Sequence, residues 1–251
     1  MMKKLMHILF VGAGLTLISC EKEALELDPA ASASMAYIHA APGAPTVDVV
    51  VDGIVANGAR RLTYGTVSSS GGAGNGAAYM PLQEGTRNIK ISTDSGRTNV
   101  VNADLTFDRN KYYTMVVYDT LAATGTPSLR SVRFEDNLAV PATGTTAVRF
   151  FHLAPLAPAV DVTLLRTSAT PNDSVTITNR SYFGTSPNAS VAAFTAVPGG
   201  TYTVRVKAAG TQTVVFSAAL GANLSAGRIV TLAAIGTARG AALNAMVLRH
   251  F

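Results

Sequence analysis

Tyr37-Ile38-His39-Ala40-Ala41-Pro42-Gly43-Ala44-Pro45-Thr46-Val47-Asp48-Val49 returns as Phe150-Phe151-His152-Leu153-Ala154-Pro155-Leu156-Ala157-Pro158-Ala159-Val160-Asp161-Val162. His, Ala-Pro, Pro and Val-Asp-Val keep their spacing across the two stretches. The correspondence continues along the chain with small gaps. Tyr64-Gly65-Thr66 answers Phe183-Gly184-Thr185, and Gly85-Thr86 with Ile89-Lys90-Ile91 answers Gly200-Thr201 with Val204-Arg205-Val206. Lys111-Tyr112-Tyr113-Thr114 answers Arg228-Ile229-Val230-Thr231. Four matches in one order mark a duplicated unit, and so long a period with two copies describes two domains rather than a solenoid.

Each unit reads as strands. In Thr201-Tyr202-Thr203-Val204-Arg205-Val206-Lys207, Tyr202, Val204 and Val206 share one face and the polar residues the other, the period of a half-buried strand. Val49-Val50-Val51-Asp52-Gly53-Ile54-Val55 places Asp-Gly between apolar runs, a tight hairpin. The equivalent turn of the second unit is longer, around Thr170-Pro171-Asn172-Asp173. About eight short strands per unit are expected, with no helical stripe. The expected fold is therefore all-β: two tandem immunoglobulin-like antiparallel β-sandwiches, over residues 35–137 and 145–251, with a linker at 138–144. Asp136-Asn137 is read as the start of the joint. A membrane-spanning barrel fits poorly, because barrel strands need about 9–11 residues with a lipid-facing side; Phe251 is read as the end of the last strand.

Composition agrees. The chain is 48% hydrophobic but 7% aromatic, without Trp, and its 22 Gly and 11 Pro suit many turns. Net charge is +5, of which Lys3 and Lys4 belong to a removable leader, leaving +3. No basic run exceeds Arg60-Arg61 in the remainder, so nucleic acid is excluded as a partner.

The first residues form an address. Met1 to Lys4 is positive, Leu5 to Ile18 is apolar and too short to span a membrane, and residues 1–19 read as a signal peptide. Leu17-Ile18-Ser19-Cys20 resembles the bacterial lipobox, which implies a lipid on Cys20, the chain's single cysteine. Glu21-Lys22-Glu23 resembles a short export signal for lipoproteins displayed on the outer face of the outer membrane. Residues 20–34 are expected to be the lipidated Cys and a flexible tether.

The His-x-Ala-Pro-x-x-Pro-x-Val-Asp-Val stretch, followed by the Gly-Thr and Lys-Tyr-Tyr-Thr strands, resembles the family called domain of unknown function 4397. The resemblance extends over both units. It implies a β fold in secreted or lipid-anchored bacterial proteins and brings no activity. The second unit departs from the pattern at Arg228-Ile229-Val230.

The repeated His39/Asp48 and His152/Asp161 are the candidates for chemistry. His39 shares its face with Met35 and Tyr37, and His152 with Val148 and Phe150, so each ring is expected at the core edge, bonding backbone at the Ala-Pro turn. The functional alternative is an acid/base pair in each unit. Zinc is poorly served, because a site needs three or four ligands. Asp48 and Asp52 share a strand face, but calcium wants an oxygen-rich loop. No metal and no cofactor are expected. The Gly-rich loop with Gly71, Gly72, Gly74, Asn75 and Gly76 lacks the Lys-Ser/Thr of a phosphate cradle and is the candidate binding loop. Tyr79, Tyr112, Tyr113 and Tyr118 are a possible sugar platform, although period two splits them between faces. Asp119-Thr120-Leu121 and Asp173-Ser174-Val175 resemble a bacterial O-glycosylation acceptor. The expectation is a non-catalytic, lipid-anchored cell-envelope module on the cell exterior, partnered by membrane lipid through Cys20 and by surface polysaccharide or an outer-membrane protein. The alternatives are a hydrolase using a His/Asp pair and a periplasm-facing assembly factor or spacer.

Overall fold

A computed structural model of the chain describes residues 31–57, 60–68, 79–93, 97–120, 129–167, 174–236 and 243–250. The first half folds as β1 (Ser32–His39), β2 (Asp48–Val51), β3 (Ile54–Val55), β4 (Thr66–Val67), β5 (Met80–Gln83), β6 (Gly85–Thr93), β7 (Thr98–Phe107), β8 (Tyr112–Tyr118) and β9 (Arg130–Asp136). The second half folds as β10 (Thr145–His152), β11 (Val160–Arg166), β12 (Ser174–Arg180), β13 (Thr195–Pro198), β14 (Gly200–Ala208), β15 (Val214–Leu224), β16 (Ile229–Ile235) and β17 (Asn244–Arg249). One 3-10 turn, Ala189–Ala192, precedes β13; the Asn188 side chain caps it by accepting from the Ser190 N–H.

In the first half, the sheet β4-β1-β8-β9, with β5 also on β1, faces the sheet β3-β2-β6-β7. In the second half, β13-β10-β16-β17 faces β12-β11-β14-β15. The strand order is repeated. Alternate residues enter the cores: Met35, Tyr37, Val49, Ile91, Tyr113 and Met115 in one, Val148, Phe150, Val162, Tyr202, Val204 and Val206 in the other. The all-β sandwich expectation holds in both halves. One neighbouring pair in each is parallel, β1 with β8 and β10 with β16, because the chain crosses to the facing sheet between them and returns in the original direction. The Asp52-Gly53 hairpin forms as expected, with φ of 49° and 89° at its two central residues and Val51 opposite Ile54.

The two sandwiches pack side by side. The outward residues of β1 and β8 (Ile38, Val116, Tyr118) meet those of β10 and β16 (Phe151, Ala233, Ile235). The molecule thus has four sheet layers, and the two inner sheets are buried on both faces. That is why Met35–His39 and Val148–His152 are buried without alternation.

One boundary shifts. The tether expected to reach residue 34 gives way to β1 at Ser32, where Ser32 and Ala33 pair with Gln83 and Leu82. Small residues suited to a linker here occupy a crowded sheet. The other end agrees with the expected bound at 137: Asp136, at the start of the Asp-Asn joint, is the last residue of β9 and is buried. The 3-10 turn aside, the described residues hold no helix, and none is long and apolar enough to cross a membrane.

Candidate functional site

Each unit's Ala-Pro turn is closed by its histidine. His39 Nε2–H donates to the Pro45 carbonyl (3.1 Å) and Nδ1 accepts from the Ala41 N–H (3.3 Å). His152 repeats both bonds, to Pro158 (3.0 Å) and Ala154 (3.4 Å). Both rings are buried, and burial lowers their pKa from the usual 6.5 against the opposing pull of the proline carbonyl. The neutral Nε2–H tautomer satisfies both bonds.

The two aspartates differ in what they do. Asp48 is buried and takes the Arg61 Nε between its oxygens (3.0 and 2.9 Å), while Arg61 also donates to the Thr46 carbonyl (3.0 Å). Asp161 accepts from the Asn179 and Gly210 backbone N–H groups (2.7 and 2.8 Å), which hold its carboxyl below the usual range. Both carboxylates tie loops to the sandwich. Among the described residues no hydrogen bond joins either histidine to its aspartate, so the acid/base pairs are not assembled. Asp52 pairs instead with Arg87 and the Asn88 N–H, while Asp48 pairs with Arg61. No group of three or more His, Cys, Asp or Glu fit to hold a metal occurs among the described residues.

The four tyrosines do not share one surface: Tyr79 and Tyr112 stand edge to face at 5.1 Å, with Tyr112 37% exposed, and the other two are buried. Tyr113 and Tyr118 are 1% exposed, the first in a sandwich core and the second in the seam between the units. Cys20, Glu21, Lys22, Glu23 and the loop of Gly71, Gly72, Gly74, Asn75 and Gly76 lie outside the described residues.

The densest polar constellation is one the sequence reading missed. Arg149, on β10, is 1% exposed, and its Nη1 lies 2.8 Å from Asp136 Oδ1. Its Nη2 donates to Thr114 Oγ1 (2.9 Å), which donates to Asp136 Oδ2 (2.7 Å). Its Nε donates to Thr231 Oγ1 (2.7 Å), which therefore donates its own proton to His250 Nε2 (2.7 Å). Tyr79 O–H donates to Asp136 Oδ2 (2.7 Å), so its oxygen accepts from His250 Nδ1–H. The hydroxyl protons of Thr114, Thr231 and Tyr79 and the His250 Nδ1 proton each have an acceptor, while Arg149 Nη1 and Asp136 Oδ1 meet as an ion pair without a hydrogen bond. Burial pushes the His250 pKa down to about 3, so the ring is neutral, as the circuit requires. The guanidinium also lies over the Phe151 and Phe194 rings (4.7 and 4.6 Å).

Register shows this circuit to be built from equivalent positions. Ala36 pairs with Thr114 as Arg149 pairs with Thr231. Asp136, opposite Tyr112, corresponds to His250, whose N–H bonds the Ile229 carbonyl. Tyr79 and Phe194 each precede the strand that pairs with the first strand of their unit. The seam is thus a pseudo-twofold contact between like faces, made unlike by three substitutions, Ala36 against Arg149, Asp136 against His250 and Tyr79 against Phe194. One signal was available beforehand: a cation inside the apolar run Val148-Arg149-Phe150-Phe151 demands a buried anion.

A family described as a domain of unknown function (DUF4397) matches residues 33–163, more than half of the chain. The chain belongs to that family. The match takes in the whole first sandwich and the β10–β11 turn of the second, and hence both turn-closing histidines of this DUF4397 protein. No curated protein matches it. Among solved structures, a family 26 carbohydrate-binding module from Eubacterium rectale, in complex with maltoheptaose, is similar at 9% identity and a TM-score of 0.25. That alignment covers 87% of this chain and 96% of the other. A leucine-rich repeat protein from Bacteroides thetaiotaomicron is similar at 10% identity and a TM-score of 0.20, over 84% of this chain and 26% of the other. Likeness at these scores carries no argument about fold or ligand.

Proposed function

We propose that this DUF4397 protein is a non-catalytic binding module of the bacterial cell envelope, two family units long, anchored through a lipid on Cys20 and displayed on the cell exterior. The observation that carries the reading is the seam. Thr114, Asp136, Arg149, Thr231 and His250 join the sandwiches into one body, as a display scaffold needs. The geometry of that body supports it. Asp136 meets His250 at one end of the strands, and Tyr118 meets Tyr182 and Phe183 at the other. The chain enters β1 at Ser32, beside Lys111 and the end of β9, so a tether leaves from the first end. The Ala-Pro turns of both units lie at the opposite end, after His39 and His152. Turns held away from an anchor suit presentation to polysaccharide or to an outer-membrane protein.

Protease shaving of intact cells tests the reading. The native protein is expected to be cleaved, and a Glu21→Ala, Lys22→Ala, Glu23→Ala variant to be protected. Protection of both until the outer membrane is opened would place the module in the periplasm. Loss of membrane association in Cys20→Ser checks the anchor.

A further inference from the structure

Three features of the second sandwich converge on one corner. The first is a cavity of about 250 Å3 lined almost wholly by apolar groups, among them Ala154, Pro158, Ala208, Phe216, Ala234 and Leu243. It lies where the edges of the two facing sheets meet, since Val215 and Phe216 belong to the edge strand β15 and Asn244 to the edge strand β17. Register against the first unit shows how room is made. Val206, Ala208 and Ala234 stand where that unit has Ile91, Thr93 and Val117, and each is smaller.

The second feature is β15 itself. Val214–Leu224 contains no charge and no proline, and no strand lies on its far side among the described residues. Val214 and Val215 are 46% and 45% exposed. Natural sheets blunt such edges with charges or proline, because an open apolar edge recruits another strand. The equivalent β7 carries Asp104, engaged by the Asn88 side chain.

The third feature is Leu156, next to the lining residue Ala157. It holds φ of 64°, where the first unit has Gly43 at 75°, and it is 70% exposed. A leucine in this backbone region costs about 1–2 kcal/mol, and burial here returns little. Strain kept without benefit to folding points to function.

We infer that this corner binds an extended, uncharged peptide segment of a partner protein, which adds a strand to β15 and places one large aliphatic or aromatic side chain in the cavity. Backbone pairing supplies affinity and the cavity supplies selectivity. An uncharged edge leaves a charged partner strand without compensation for its desolvation, and an apolar cavity excludes a sugar ring for want of polar partners. This rests on the reading of the chain as a binding module and names the kind of partner.

The test is to pan the full-length protein against a random displayed peptide library, then titrate the enriched peptides. Expected are uncharged sequences with one fixed large apolar position. Affinity should fall at least about tenfold when that position is Ala, when the peptide backbone is N-methylated, and in the Val215→Lys and Ala234→Leu variants. Val215→Lys alters an exposed side chain, so it remains informative if Ala234→Leu overpacks the core. No enrichment by folded protein, or binding unmoved by these changes, overturns the site without touching the shaving result. Two further outcomes replace the proposed partner with another. One is concentration-dependent dimerisation abolished by Val215→Lys. The other is binding of octanoate that resists Val215→Lys and is lost in Ala234→Leu.

Discussion

The Asp136 carboxylate and the Arg149 guanidinium stand 2.8 Å apart, both side chains wholly buried, at either end of the segment that joins the two sandwiches. The pair lies at the seam and completes a circuit drawn from four strands, the residue after β17 and the residue before β5. Removing one charge strands the other in a site closed to solvent. Asp136→Asn or Arg149→Met should destabilise the protein by about 3–5 kcal/mol, and the double replacement Asp136→Leu with Arg149→Met should recover part of that loss. Urea unfolding of the three variants measures it. Single variants as stable as the native protein would show that the pair does not hold the seam.

The turn-closing histidines carry a separate expectation. His39→Ala and His152→Ala each strand a buried carbonyl and a buried N–H, and each should cost about 1–3 kcal/mol. Thermal unfolding checks this. An acid/base role would instead leave the melting temperature in place and lower a rate.

Stability should fall on mild acidification. Burial lowers the pKa of His39, His152 and His250 from 6.5, the last to about 3. In the unfolded chain each binds a proton as pH falls through 6.5, and in the folded protein it does not. The contribution is thus complete above pH 6.5 and is lost below it, at up to about 1.4 kcal/mol per pH unit for each histidine, with His250 extending the loss towards pH 3. Urea midpoints between pH 7.5 and pH 4 test the slope, and His250→Gln should flatten its lower part.

Leu156→Gly should raise stability by up to about 1–2 kcal/mol, since it removes the strain of the left-handed conformation, less the flexibility that glycine gives the unfolded chain. The same change should weaken capture of apolar peptides. A variant that loses stability would mean that Leu156 packs against the fold.

Much of this architecture was legible in the sequence. Period two in Thr201–Lys207 located a strand and its buried face, Asp52-Gly53 located a hairpin, and the spacing of His39, Pro45, His152 and Pro158 located both closed turns. These are local relations, set by backbone geometry and short chain separation. The seam was not legible in this way. Arg149 bonds Thr114, 35 residues before it, and Thr231, 82 residues after it. Its twin in the duplication is Ala36, so the repeat offered no warning. Asp136 stood at the border of sandwich and joint, and its composition, Asp-Asn before a Pro-Gly stretch, gave no sign of a buried ion pair. Tyr112, Tyr113 and Tyr118 could be divided between faces, but which face met solvent depended on what packed against β8.

The sequence by itself determined that the chain is a duplicated set of short strands whose turns are closed by histidine, because side-chain period and turn chemistry act within a few residues. Only the tertiary structure decided that the outer faces of β1, β8, β10 and β16 are buried, that Asp48 and Asp161 anchor loops, and that β15 is left as an open apolar edge. Those outcomes depend on which sheets pack together and which edges stay unpaired, and such long-range choices minimise exposed apolar area and unpaired buried charge over the whole molecule.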